Sequence, residues 1–193
     1  AGCMRVYVDI VRNKRIDVVV ATGASIIDMD LFEALGFKHY IGEKENVIAD
    51  TTLRDLYIDR IYDTYIDEEE LQACDHTTFE IANMLEARPY SSREFIYEIG
   101  KWLHDGHAVK KDSLIQTCYE CGVPIFVPAF SDSSAGFGIG KHQWERMQKG
   151  EKYLSIDSVK DFVELTQIKM QAPETGLFMV GGGAPKNFAQ DTV

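Results

Sequence analysis

Three short stretches combine small residues with a carboxylate or an amide, as a bound dinucleotide requires. The first is Thr22-Gly23-Ala24-Ser25, with Asp28 six residues after Thr22. The second is Phe130-Ser131-Asp132-Ser133-Ser134, and the third is Gly181-Gly182-Gly183-Ala184-Pro185-Lys186-Asn187. Glycine and alanine let a phosphate or a ring approach the backbone closely. Pro185 stands where a helix has its first residue, so free N–H groups and a positive dipole end would face an anion there. Asp132 or Asp28 can accept hydrogen bonds from ribose hydroxyls, as the acidic residue of dinucleotide-binding folds does. Any one of these loops also reads as a tight turn with a helix cap. Each follows an apolar run, and in open α/β sheets ligands bind outside the carboxyl ends of the strands.

The elements that would carry these loops follow from periodicity. Met4, Tyr7, Val8 and Val11 have helical spacing. Ile16–Ala21 is an apolar run of the kind a buried parallel strand shows, and the Thr22–Ser25 turn precedes a short helix from Asp28 to Leu35. Residues 37–66 give no clear pattern, and Gly42–Thr52 is polar enough to be a surface excursion. Asp67-x-x-Glu70 and Ser91-x-x-Glu94 are capping-box patterns that open helices through about Leu85 and Leu103. Asp112 or Ser113 starts another helix, closed by Gly122, and Pro124–Val127 is a second buried strand. Pro128–Gly140 reads as a loop. A helix from Ser155 or Asp157 to about Met170 and a third strand, Gly176–Val180, complete the series. Strand alternating with helix predicts an α/β fold: a doubly wound, mostly parallel Rossmann-like sheet with helices on both faces, with residues 1–193 as one domain.

Composition narrows the classes. The formal net charge of −11 disfavours nucleic acid as a partner. No apolar run approaches the roughly 18–20 residues of a membrane span. Cys3, Cys74, Cys118 and Cys121 read as reduced thiols, which points to the cytoplasm. Cys118-x-x-Cys121 has no second ligand pair and closes a helix instead of opening one, which argues against both zinc and thioredoxin-like chemistry. Gly136-Phe137-Gly138-Ile139-Gly140-Lys141 fails both the dinucleotide and the P-loop spacing. His39, His76, His104, His107 and His142 show no metal-ligand spacing, and Asp67–Glu70 reads as a helix N-terminus; no metal site is expected.

Val18–Asp30, Val123–Gly136 and Gly176–Gln190 together resemble the deoxyhypusine synthase family, most closely its bacterial and archaeal deoxyhypusine synthase-like branch. The stretches VVVATGASIIDMD, VPIFVPAFSDSSAG and GLFMVGGGAPKNFAQ carry the resemblance, in the family's order. It implies an NAD-dependent transferase that moves the aminobutyl group of a polyamine such as spermidine to an acceptor amine. The acceptor would be a translation-factor lysine or, in homospermidine synthase-like relatives, a small diamine. A catalytically silent, NAD-binding regulatory paralogue is a further alternative. The family's members are homotetramers.

By the same resemblance, Thr22, Gly23, Ala24, Asp28, Asp132, Gly181, Gly182 and Gly183 would contact NAD. Asp28 would also face the polyamine, together with Asn187 and Phe137. Asn187 replaces a family histidine, and Phe137 replaces an aspartate that binds the amine. Phe137 cannot pair with an ammonium, although its face can make a cation–π contact. The family's nucleophilic lysine belongs to a Trp-Gly-Lys-like motif expected beyond Val193, so no catalytic residue is assigned within the chain, and Lys186 is read as holding the loop or an anion. With no initiator Met and an end inside a helical pattern, the chain is expected to be a piece of something longer.

Overall fold

The computed structural model describes residues 3–42 and 48–192. Helix α1 (Met4–Arg12) turns Val8 and Val11 into the core and carries Arg12 in its last turn, where a cation suits the helix dipole. Strand β1 (Val19–Val20) follows, and its ladder continues one residue further because the Ala21 N–H donates to the Phe126 carbonyl. The chain then enters a helix at once. Thr22 is the N-cap, its Oγ1 accepting the Ser25 N–H at 3.2 Å. Helix α2 (Gly23–Ser25), a π-helical segment (Ile26–Leu31) and α3 (Phe32–Ala34) form one run that ends before Gly36, at φ +98°. The small-residue stretch expected as a turn is therefore the first turn of the helix, with an otherwise free N–H satisfied by the Thr22 hydroxyl.

Residues 37–66 contain β2 (Tyr40–Ile41), α4 (Asp50–Asp55), β3 (Ile58–Ile61) and the start of β4 (Thr64–Asp67), with the strands in the antiparallel order β2-β4-β3. Part of the expected surface excursion, residues 43–47, lies outside the described residues, and the rest leads into α4.

The capping signals are realised. Asp67 accepts the Glu70 N–H at the start of α5 (Glu68–Met84). After β5 (Pro89–Tyr90), Ser91 and Glu94 form a reciprocal capping box on α6 (Ser92–Trp102), which runs on as a π-helical segment, Leu103–His107. Ser113 caps α7 (Leu114–Cys121), and Gly122 ends it in the left-handed conformation, φ +71°. Strand β6 (Ile125–Phe126), α8 (Ser134–Gln148), β7 (Ser155–Ile156), α9 (Ser158–Gln171, capped by Asp157) and α10 (Ala184–Asp191) follow.

This is a mixed α/β fold with parallel strand pairs. β1 runs parallel to β6, and β5 parallel to β7. The described strands fall into two parallel pairs and one antiparallel ribbon, in place of the single continuous sheet expected. One hydrophobic core unites Val8 and Val11 of α1, Ile27 and Leu31 of the π segment, Phe95 and Ile99 of α6, and Ile125 of β6.

Two further expectations are corrected. Pro128–Gly140 is a loop only as far as Ser133; α8 starts at Ser134 and takes in the glycines. Gly138 lies so close to α5 that a Cβ there would meet Thr78 Oγ1 at 2.0 Å and the Asp75 carbonyl oxygen at 2.4 Å. The Gly-x-Gly-x-Gly run is thus helical and not a loop, with Gly138 at the contact with α5, Gly136 against the Ser131 carbonyl and Gly140 in open space. The apolar run Gly176–Val180 forms no ladder with any described strand, and α10 instead lies against β1. Leu177–Val180 is consequently exposed, Phe178 to 79%.

Candidate functional site

Because β1 and β6 are parallel, their carboxyl ends share one edge and release two loops side by side. Gly23 is where the loops meet. A Cβ at this position would lie 2.5 Å from Ser133 Cβ and 3.2 Å from the Asp132 carbonyl oxygen, so only glycine lets them close. Asp28 adds a second tie: its Oδ1 accepts the Ser134 N–H at 2.9 Å and so caps α8 from across the site. The Ser133 hydroxyl donates to the Phe130 carbonyl at 2.9 Å and holds the loop in shape.

The electrostatics are those of a crowded acidic edge. Burial pushes the Asp28 carboxyl up, and the charge of Asp132 adds to this, while the Ser134 N–H and hydroxyl oppose it. Asp75, on α5, is pushed up to about 6 by burial and by the charge of Asp28, against a hydrogen bond from the Ser134 hydroxyl. Cys74, wholly buried beside them, is held as a thiol by burial. Two half-buried carboxylates around one helix N-terminus can share a proton or hold a cation.

The sequence-derived residues divide into two groups. Thr22, Gly23, Ala24, Asp28 and Asp132 come together at this edge, with Thr22, Ala24 and Asp132 exposed and Gly23 buried. Gly181, Gly182 and Gly183 lie in an exposed turn before α10, with φ +83° at Gly181 and +94° at Gly183 and open space where side chains would stand. Helix α10 brings that turn toward the side of β1, and Phe188 packs edge-on against Phe162 of α9. Phe137 stands on the first turn of α8, 74% exposed, and Asn187 is exposed on α10.

Sequence reasoning missed Asp30, Asp75 and Asp161. Asp30 is buried and receives the Ser113 hydroxyl at 2.7 Å and the Leu114 and Ile115 N–H groups at 2.8 Å, which holds the start of α7. An aspartate within the apolar run Ile26–Phe32 was the available signal, since a buried carboxylate needs partners. His142 is structural: its Nδ1 pairs with Asn83 Oδ1 at 2.8 Å and its Nε2 accepts the Leu154 N–H at 3.0 Å. Among the described residues no group of three His, Cys, Asp or Glu side chains is placed to hold a metal ion. A cavity of about 200 Å³ lined by Met4, Arg5, Met29, Glu33 and Lys110 lies beside α1, apart from the loops.

The model of the deoxyhypusine synthase family matches residues 1–193. The chain belongs to the deoxyhypusine synthase family. It is 69% identical over 192 residues to a deoxyhypusine synthase-like protein of Caulobacter vibrioides and 62% identical to one from Coxiella burnetii. It is 42% identical to a protein of Methanosarcina acetivorans named "probable deoxyhypusine synthase 2". Each comparison covers 100% of this chain but only 52–53% of the relative, so the chain spans about half the length of these curated relatives. A crystal structure described as a candidate deoxyhypusine synthase from Entamoeba histolytica superposes on 95% of the chain and 54% of its own length. The TM-score is 0.66 at 19% identity, a likeness of fold.

Proposed function

We propose that this chain supplies the cofactor- and amine-binding face of an NAD-dependent aminobutyl transferase, acting on a polyamine such as spermidine. The observation that carries the reading is the closure of the first two loops at one strand edge, through Gly23 against Ser133 and Asp28 against the Ser134 N–H. Family membership supplies the reaction class. The parallel sense of β1–β6 and β5–β7 is also what a doubly wound sheet would require.

The residues present fit a dinucleotide. Asp132 is exposed at the loop tip for a ribose, and the open space over Gly181–Gly183 admits a close backbone approach. Thr22 and Ala24 border the same edge, whereas Gly23 serves by letting the loops meet. Bound NAD would supply a reversible hydride acceptor for oxidising the amine. The chain's own residues would place the amine: Asp28 and Asp75 attract its cationic form, and ionised Asp28 keeps α8 in place. Asn187 offers an uncharged amide to the same substrate. The acceptor would be a protein lysine or a small diamine, and a soluble, cytoplasmic homotetramer fits the family.

The exposed Phe137 favours a second reading, in which that side of the substrate is apolar or the acceptor is a diamine. Labelled spermidine supplied to the full-length protein with either acceptor separates the two by product. NAD titration tests the first reading. Asp132→Ala should weaken NAD about ten- to hundredfold, since charge-assisted hydrogen bonds are worth roughly 1.5–3 kcal/mol. Unchanged affinity in a folded variant sinks the assignment.

A further inference from the structure

The second loop leaves β6 at Val127, and Val127 is not held by the sheet. Its N–H donates to the Ser92 hydroxyl at 2.8 Å, within the first turn of α6. Ser92 is fully buried, so once its oxygen has accepted that bond its own proton needs an acceptor inside the protein. Asp161 of α9 is wholly buried, and Ser92 lies near enough for its hydroxyl and N–H to pull the Asp161 carboxyl down. Asp161 Oδ1 accepts the Arg93 N–H at 3.4 Å, and its Oδ2 has no hydrogen-bond partner in the described structure. A hydroxyl proton in need of an acceptor thus stands near a carboxylate oxygen in need of a donor.

Around the pair, α9 is fastened to the same turn by other contacts. Glu164 accepts the Ser91 hydroxyl at 2.9 Å and Arg93 Nε at 2.6 Å, and Lys160 donates to Glu94 at 2.6 Å. The Glu94 carboxyl is itself held down at about 2, because Lys160, Arg88 and the Ser91 N–H outweigh its burial. These outer contacts secure the helices to each other. Among these contacts of the described residues, it is Ser92, beside Asp161, that reaches the strand.

We infer that Asp161 and Ser92 are positioning residues for the proposed cofactor loop: Asp161 fixes the Ser92 hydroxyl, and that hydroxyl fixes Val127, the point from which residues 128–133 depart. The inference rests on the proposed role of that loop, but its geometry can be tested without any ligand.

Amide hydrogen exchange is measured on the full-length protein and on Ser92→Ala, Asp161→Ala and Asp161→Asn. Ser92→Ala and Asp161→Ala should each speed exchange at Val127 and across 130–134 about tenfold, the loss of one buried hydrogen bond. A double variant, Ser92→Ala with Asp161→Ala, should be little worse than either single one, because the two residues act in series. Asp161→Asn, which retains an acceptor oxygen for the hydroxyl, should lie near the wild type. Unchanged exchange at Val127 in Ser92→Ala, or strictly additive effects in the double variant, would overturn the inference. If Asp161→Ala fails to fold, Ser92→Ala and Asp161→Asn still decide it. NAD affinity measured on the same variants separates the two readings. Faster loop exchange with unaltered NAD binding upholds the positioning role and removes the loop from the cofactor site.

Discussion

The edge where β1 and β6 end and the stretch from Gly176 to Gly183 were alike in sequence, each an apolar run leading into small residues. In the structure they differ sharply. At the first edge small residues bind the chain to itself: Gly23 admits Ser133, and the Ser134 N–H goes to Asp28. In the second stretch the apolar side chains face outward, and the glycines have open space around them. A glycine that makes room for another part of the same chain is therefore a different object from one that leaves room for something else. Only neighbours distant in sequence tell them apart.

Substitutions can break this contrast, and the largest effect belongs to the packed glycines. Gly138→Ala would drive a methyl onto the Thr78 hydroxyl and into the α5 backbone at the Asp75 carbonyl oxygen, which cannot turn aside as a flexible side chain can. It should cost about 3 kcal/mol or more, seen as a lowered denaturation midpoint. Gly182→Ala, in open space, should leave that midpoint within about 0.5 kcal/mol while weakening NAD. Equal losses in stability would end the distinction.

Next in size is Asp30→Ala, which strips three donors at the start of α7 of their acceptor at once. A loss of about 2–4 kcal/mol is expected, read by chemical denaturation. Asp30→Asn, keeping one acceptor oxygen, should recover part of it.

A smaller, pH-dependent effect belongs to Asp161. Burial pushes its carboxyl from 3.8 up to about 6, and Glu164 adds to the rise, while Ser92 and the Arg93 N–H oppose it. A folded-state value above the unfolded one means that its contribution is fully present below about pH 4. It is lost as pH rises through 6. Asp161→Asn should therefore flatten the fall in stability between about pH 4 and 7, measured by denaturation at several pH values. An unchanged slope would show that Asp161 titrates normally.

The smallest effect is expected at Phe178. Phe178→Ser should not lower the melting temperature, because little apolar area is buried there, and it should reduce self-association. A clear loss of stability in the full-length protein would mean that the side chain is covered there.

Much of the helical framework was legible because capping is local. Ser91 with Glu94, Asp67, Ser113 and Gly122 each act within about a turn of their own position, and each was found where its residue type predicts. What failed depended on distant partners. Ser134–Gly140 looks like a loop by propensity, yet it is helical, with Gly138 packed closely on α5. Val19–Val20 and Leu177–Val180 have the same apolar character, but only the former has a ladder. At the site, Asp28 and Asp132 were visible as carboxylates beside small residues. Asp75 was not, because nothing within α5 reveals that it meets Ser134 from a different part of the chain.

The π-helical segment Ile26–Leu31 has a mechanical consequence. Two residues apart, Asp28 grips the start of α8 and Asp30 grips the start of α7, so one short cylinder acts as a yoke between two helices that have no sequence connection to it. Torque on the segment must move both. Deleting one residue between Ile26 and Asp28 would turn both carboxylates by roughly 100° relative to the Thr22 cap, the angle each residue contributes in an α-helix. Both grips would then be lost together. Insertions and deletions here should thus be far less tolerated than at Gly150, a left-handed turn with open space around it.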